Sequence, residues 1–308
     1  MSDLFKIIEV SEDSISENEQ LGTKEKYWYC EDEINYLYKQ ARPNTGEAWS
    51  EKIASELCEL LNLPHAHYEL AIWKGNLGTI SPSFVPQNKT LILGNQILVK
   101  IDKSYPEFSP NNYRISEHTL DIVVEAIANN PMPIKLPLNW KPPQGIETAI
   151  ETFVGYLLLD AWIGNTDRHH ENWGFIMNNS VHLAPTFDHA SSLGRELLDS
   201  KKKNIINSKA VKNYLAKSKS AMYDKIGDNK PMLTLDVFKN AAQIYPKAAL
   251  IWLENLANIS AKDTLSLFER IPKNYISEIS IEFAQEILKI NQNRLLQIRE
   301  NLQCKNYS

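Results

Sequence analysis

Along the first part of the chain apolar residues come in short alternating runs, whereas towards the end they recur every three or four positions. Alternation reads as strand and the longer period as helix. Phe5 to Val10 fits a short strand, followed by an acidic, serine-rich connector from Ser11 to Gln20. Tyr27-Trp28-Tyr29 and Ile34 to Lys39 flank the polar turn Glu31 to Glu33, the pattern of a β-hairpin. Glu47 to Leu63 carries Trp49, Ile53, Ala54, Leu57, Leu60 and Leu61 on one helical face, and Asn62 and Pro64 mark its end. His67 to Trp73 and Thr79 to Val85 predict a second hairpin around Lys74-Gly75-Asn76.

Pro86 to Pro143 is less periodic, with Leu91 to Leu93, Ile97 to Ile101 and a predicted helix from Ser116 to Ala128. A lobe boundary is expected between Lys103 and Asn112, dividing the chain into residues 1–108 and 109–308. An apolar helix is predicted from Glu147 to Ile163, and Phe175-Ile176-Met177 and Val181-His182-Leu183 form a predicted hairpin around Asn178-Asn179-Ser180. Val237 to Ile244, Ala248 to Ile259, Asp263 to Arg270 and Ile281 to Gln303 read as helices, and no internal repeat is visible.

The predicted helix ending at Ile163 runs into Gly164-Asn165-Thr166-Asp167-Arg168-His169-His170-Glu171-Asn172-Trp173, a dense polar cluster. Asp188 follows sixteen residues after Asn172, in Leu183-Ala184-Pro185-Thr186-Phe187-Asp188. Phosphotransferases present a catalytic aspartate, a metal-binding asparagine and a metal-binding aspartate in this order. Phosphoryl transfer asks a protein mainly for positioning and for compensation of negative charge. Asp167 would orient an acceptor hydroxyl and take its proton, while Asn172 and Asp188 offer the oxygen ligands that suit Mg²⁺. Lys39, late in a predicted strand, is a candidate cation for nucleotide phosphates, and Glu51, early in the next helix, its ion-pair partner. The turn Gly22-Thr23-Lys24 is a candidate phosphate cover through its backbone N–H groups. His169, His170, His182 and His189 do not favour zinc, because their spacing is not that of a helical zinc motif and no cysteine lies nearby. Arg168 is expected to make a structural salt bridge, with Glu171 as a candidate partner.

Composition narrows the function classes. With 308 residues and a net charge of −5, the chain has room for a large core and lacks the global basic field of a non-specific nucleic-acid binder. No direct DNA binding is expected. Seven lysines and no acidic residue between Lys201 and Lys219 read first as a solvated basic face, with an acidic substrate or nucleic acid as the alternative. Cys30, Cys58 and Cys304 have neither CxxC nor disulfide spacing and read as free thiols of a reducing compartment. The acidic N-terminus has no signal-peptide pattern and no run is long enough to span a bilayer, so a cytoplasmic protein without membrane contact is expected. Export by a route leaving no N-terminal signature stays open.

Ile163 to Trp173 and Leu183 to Asp188 together resemble the catalytic and metal loops of the HipA-like serine/threonine kinases, which in turn resemble the DRHxxN loop of phosphatidylinositol 3- and 4-kinases. Tyr36-Leu37-Tyr38-Lys39, then Gly46-Glu47 and the helix containing Glu51, are similar to the same family's nucleotide lysine and helix glutamate. The resemblance runs from about Gly22 to Leu197 and is most specific in the two later loops. It implies an α+β, bilobal protein-kinase-like fold, with a small β-rich N-lobe, a larger mostly helical C-lobe, and ATP and Mg²⁺ between them. By position it makes Asp167 the catalytic base, Asn172 and Asp188 metal ligands, Lys39 the phosphate lysine and Glu51 its partner. Implied partners are a protein substrate, such as an aminoacyl-tRNA synthetase or a host protein, and an antitoxin. Two departures stand out: the chain is expected to lack the extra N-terminal subdomain of the longer toxins, and their regulatory loop serine has no counterpart beside Gly22, where Thr23 is the nearest hydroxyl. A lipid or small-molecule kinase and a non-catalytic nucleotide-binding module are the alternatives.

Overall fold

A computed structural model describes residues 3–11, 15–18, 25–106 and 115–305. The first sheet is built from β1 (Ile7–Glu9), β2 (Ile15–Asn18), β3 (Lys26–Glu31) and β4 (Ile34–Gln40), then, after helix α1 (Glu47–Leu61), from β5 (Glu69–Trp73) and β6 (Asn76–Pro82). Strand order is β1-β5-β6-β4-β3-β2. The two hairpins predicted in this stretch both form. Asp32 and Glu33 join β3 to β4 with positive φ (49° and 65°), as do Lys74 and Gly75 between β5 and β6 (48° and 77°). Two such residues in a row match the right-handed twist of the flanking strands. The stretch read as a connector before β3 contains β2, which pairs antiparallel with β3.

The chain leaves this sheet at Pro82 and enters a second one. Strand β7 (Thr90–Leu93) precedes helices α2 (Gly94–Ile101) and α3 (Leu120–Ala128), then β8 (Ile134–Lys135), helix α4 (Ala149–Ile163), β9 (Gly174–Met177) and β10 (Val181–Leu183). The second sheet runs β7-β9-β10-β8. Leu93 lies opposite Gly174, so β7 is bonded to the strand that follows the Asp167 loop. By hydrogen bonding the change of sheet falls between Pro82 and Thr90, and β7 finds its partner far along the chain.

The remainder is helical: α5 (Asp199–Asn207), α6 (Val211–Leu215), α7 (Thr234–Ile244), α8 (Pro246–Ala257), α9 (Ala261–Glu269) and α10 (Glu278–Lys305). Helix α4 is the axis of this lobe. Every residue in it except Glu151 is buried, and it packs against α3, α7, α8 and α10. A capping box starts it: Thr148 Oγ1 accepts from Glu151 N at 3.3 Å and Glu151 Oε2 accepts from Thr148 N at 2.9 Å. A helix apolar on all sides belongs in a core. One hydrophobic core runs from Trp49, Ile53 and Leu57 on α1 to Phe153, Trp162 and Trp252 in the helical lobe, so α1 belongs to both. This α+β architecture, a small sheet-rich part followed by a larger helical one, is the expected fold class. Among the described residues no helix is long and apolar enough to cross a membrane.

Candidate active site

Helix α4 ends at Gly164, whose φ of 68° turns the chain sharply into the polar loop. Asn165 then clamps the turn: its Nδ2 donates to Asp160 Oδ1 at 2.8 Å and its Oδ1 accepts from Asp167 N at 3.1 Å. Arg168 points inward and is 1% exposed. Its guanidinium donates twice to the Asp160 carboxylate (2.7 and 2.8 Å), once to Thr186 Oγ1 (2.9 Å) and once to the Asn172 carbonyl (2.7 Å). The salt-bridge role expected of Arg168 is present, but with Asp160 rather than Glu171, because the glycine turn folds the loop back over the last turns of α4. With Arg168 inside, Asp167 faces outward, its side chain 30% exposed. Ser191 Oγ donates to Asp167 Oδ2 at 3.4 Å. Asn172 Nδ2 donates to the Asp167 carbonyl at 2.6 Å, which leaves the Asn172 amide oxygen as the atom for a cation.

Asp188 arrives from the other side of the β9–β10 hairpin, in the left-handed region at φ 59°, which aspartate tolerates better than most residues. Its Oδ1 lies 3.4 Å from Lys39 Nζ and its Oδ2 lies 3.7 Å from Lys26 Nζ. Lys26 and Lys39 are register partners on β3 and β4, so both ammonium groups leave the sheet side by side. Lys39 Nζ is also 3.6 Å from Glu51 Oε2 and donates to Tyr68 Oη at 3.1 Å. Burial opposes the charge on Lys39, but Asp188, then Tyr68 and Glu51, outweigh it and hold its pKa well above the ordinary lysine value. Glu51 is fixed in turn by His189 N, which donates to Oε1 at 2.6 Å. Lys39, Glu51, Asp167, Asn172 and Asp188 thus come together from β4, α1 and two loops. Gly22, Thr23 and Lys24 lie outside the described residues.

Sequence reasoning missed Lys26, Tyr68 and Ser191 at this site. Lys26 was recoverable from the hairpin, since counting back from the turn puts it opposite Lys39. Tyr68 and Ser191 carry no local signal. The four histidines do not converge: His170 Nδ1 bonds Tyr105 Oη at 2.9 Å, His182 Nδ1 the Leu136 carbonyl at 2.8 Å, and His189 Nε2 Thr186 Oγ1 at 2.7 Å. His169 Nδ1 accepts from Glu171 N at 3.1 Å, a bond that shapes the loop.

Between the two sheets these groups line a cleft of about 640 Å³. Its lining includes the apolar side chains Leu37, Leu91, Leu93 and Phe187, and Phe84 of the segment crossing between the sheets stacks on Phe187 at 5.4 Å. It also includes the two lysines, Asp167, Asn172 and Asp188. A flat aromatic ring suits the first set and phosphates the second. The donor set of one amide oxygen and one carboxylate suits a hard divalent cation that keeps some of its waters.

No protein-family model matches the sequence, and no curated protein matches it significantly. Solved structures do match. The crystal structure of CtkA, a proinflammatory kinase of Helicobacter pylori, superposes with a TM-score of 0.76 at 18% identity, over 96% of this chain and 98% of CtkA. HipA of the Shewanella oneidensis MR-1 toxin–antitoxin system, solved in complex with HipB and its operator DNA, gives 0.58 at 13% identity, over 94% of this chain and 68% of HipA. At such identities the likeness speaks for the fold, and the chain has the fold of the HipA-like kinases.

Proposed function

We propose that the protein is an ATP- and Mg²⁺-dependent serine/threonine protein kinase that transfers the γ-phosphoryl group to a protein hydroxyl. The observation that carries this reading is the convergence of Lys39, Glu51 and Asp188 within salt-bridge distances, opposite Asp167 and Asn172 in one cleft. In this reading Asp167 orients the acceptor hydroxyl and receives its proton as the oxygen attacks phosphorus, with Ser191 holding the carboxylate. Asn172 and Asp188 hold the metal. Lys39, kept in place by Glu51 and Tyr68, exchanges its contact with Asp188 for the phosphates, and Lys26 stands ready for the same role. Bound Mg²⁺ supplies neutralisation of phosphate charge. The apolar lining residues and the crossing segment at Ser83 and Phe84 take the adenine.

The fold shared with CtkA and HipA supports a phosphotransferase, and HipA's association with HipB supports an antitoxin-type partner for this chain. The acceptor is a protein, an aminoacyl-tRNA synthetase or a host target, and the protein acts in a cytoplasm. The test is incubation with γ-labelled ATP and Mg²⁺ beside a cell lysate and beside lipid vesicles, followed by phosphoamino-acid analysis. Label on serine or threonine that disappears with Asp167→Asn is expected. Label in lipid alone would replace the protein kinase by a lipid kinase, and Mg²⁺-dependent ATP binding with no transfer would reduce the protein to a nucleotide-binding module.

A further inference from the structure

Outside the cleft, at the far end of α1, three potential metal ligands meet. Asn62, with φ 56°, ends the helix and turns the chain into an extended segment through Pro64 and Ala66. Two residues apart on an extended segment, His65 and His67 present their rings to the same side, with centroids 4.6 Å apart. Glu59, on the last turn of α1, reaches both: His65 Nε2 and His67 Nδ1 each lie 3.5 Å from its Oε1. All three ligand atoms lie within 4.8 Å of one another.

Two features separate this group from a chance surface cluster. The His65 side chain is only 3% exposed, and its Nδ1 is within 2.9 Å of the Leu63 carbonyl, to which it donates. That bond fixes the tautomer and leaves a lone pair on Nε2, the arrangement in which a metal-binding histidine is usually held. Nε2 is buried and has no hydrogen-bond partner among the described residues, which is uncommon for a buried polar atom. The second feature is spacing. A separation of 3.5 Å is longer than an ordinary N–H···O bond. It is close to the ~3.3–3.4 Å that separates two ligand atoms on a tetrahedral ion with metal–ligand bonds of ~2.0–2.1 Å.

We infer that Glu59, His65 and His67 form a binding site for a divalent transition-metal ion of the zinc type, distinct from the Mg²⁺ site proposed in the cleft. Two imidazoles and one carboxylate suit zinc and disfavour Mg²⁺ or Ca²⁺, which take oxygen ligands. His65 is the fixed ligand. Glu59 and His67, with side chains 59% and 66% exposed, close on the ion and leave its fourth position to water or to a group from another molecule. The ion ties the end of α1 to the segment entering β5. That segment continues into Tyr68, the hydroxyl partner of Lys39, and is joined to the Asp188 loop by Ala66 N to the Thr186 carbonyl and Thr186 N to the Pro64 carbonyl, both 2.9 Å. The site is therefore a staple behind the cleft, and its existence does not depend on the kinase reading.

The test uses the full chain, stripped with EDTA, gel-filtered and titrated with Zn²⁺ alone by calorimetry, without nucleotide. The expected result is one equivalent bound at micromolar concentration or tighter by the wild type and by Asp188→Asn, a higher melting temperature with Zn²⁺, and loss of both effects in His67→Ala and Glu59→Gln. Both altered residues are exposed, and unchanged circular dichroism establishes that the variants fold. Co²⁺ gives a tetrahedral d–d absorption band in the wild type that His67→Ala lacks. No Zn²⁺ uptake by the wild type, uptake undiminished in the Glu59→Gln/His67→Ala double variant, or uptake lost in Asp188→Asn would each overturn the proposal.

Discussion

Asp167 is poised because its neighbours are committed elsewhere: Asn165 caps its N–H, Asn172 holds its carbonyl and Arg168 is drawn inward. Replacing it by asparagine keeps the shape and removes the proposed base. Asp167→Asn is expected to lower kcat by ~10²–10⁴-fold, the usual contribution of a positioned general base, with little change in nucleotide affinity. Steady-state kinetics beside an ATP-binding titration checks both halves. Arg168 carries a different risk, since its removal leaves Asp160 buried with one neutral partner, Asn165. Arg168→Met is expected to cost ~3–5 kcal/mol of stability, the range for breaking a buried pair, read from urea melts. At this scale Asp167, Asn172 and Asp188 were legible because their order and spacing are set by one loop and one hairpin. Tyr68 was not, because its hydroxyl reaches Lys39 only once β5 has paired with β6, which in turn pairs with β4. Asp160 was hidden as the partner of Arg168 because a helix-end glycine, and not proximity in sequence, brings the two together.

Among the elements, α4 leads into the Asp167 loop and depends on close approach. A Cβ added at Gly155 would sit 2.6 Å from Cε2 of Trp252 and 2.7 Å from Cδ2 of Leu63. Trp252 cannot easily yield, since it is fully buried and its Nε1 donates to the Glu151 carbonyl at 2.8 Å. Gly155→Ala gains ~1 kcal/mol of helix propensity in isolation, whereas overpacking a core costs ~1–3 kcal/mol. The variant is therefore expected to melt at a lower temperature than the wild type, against the usual sign for this substitution in a helix, as calorimetry would record. All three hairpins, α1, α4 and the last four helices were readable from periodicity and turn chemistry. Strand β7 was not, because four residues bonded to a strand more than 80 positions later leave no local pattern. Helix α5 departs from the solvated basic face: Lys202 is buried, its Nζ donating to Ser280 Oγ on α10 at 2.7 Å and lying 5.7 Å from the centre of the Trp49 ring. A lysine run does not reveal which member faces inward.

Across the whole molecule, one core continuous through α1 joins the sheets and holds the cleft between them. Acid should loosen it at a defined point. His118 is buried, its Nε2 accepts from Trp173 Nε1 at 3.2 Å and its Nδ1 is 3.0 Å from the Ala221 carbonyl, so the ring is neutral and fully used. Burial pushes its pKa down from 6.5 to about 3. A histidine with a depressed folded pKa takes up its proton only on unfolding, so its contribution to stability is complete above the unfolded pKa and is lost as pH falls from there towards the folded value. Stability is expected to fall by ~1.4 kcal/mol per pH unit from this residue alone between about pH 6 and pH 4. Urea melts across that range check it, with a shallower slope in His118→Gln. The central claim, that one cleft binds Mg²⁺–nucleotide with one set of groups and activates the acceptor with another, is tested most directly by measuring ATP binding and phosphoryl transfer together in the wild type, Asp167→Asn and Asp188→Asn. The prediction is transfer only by the wild type, Mg²⁺-dependent binding kept by Asp167→Asn, and that dependence lost in Asp188→Asn. Equal transfer by all three, or Mg²⁺-dependent binding untouched by Asp188→Asn, would contradict it.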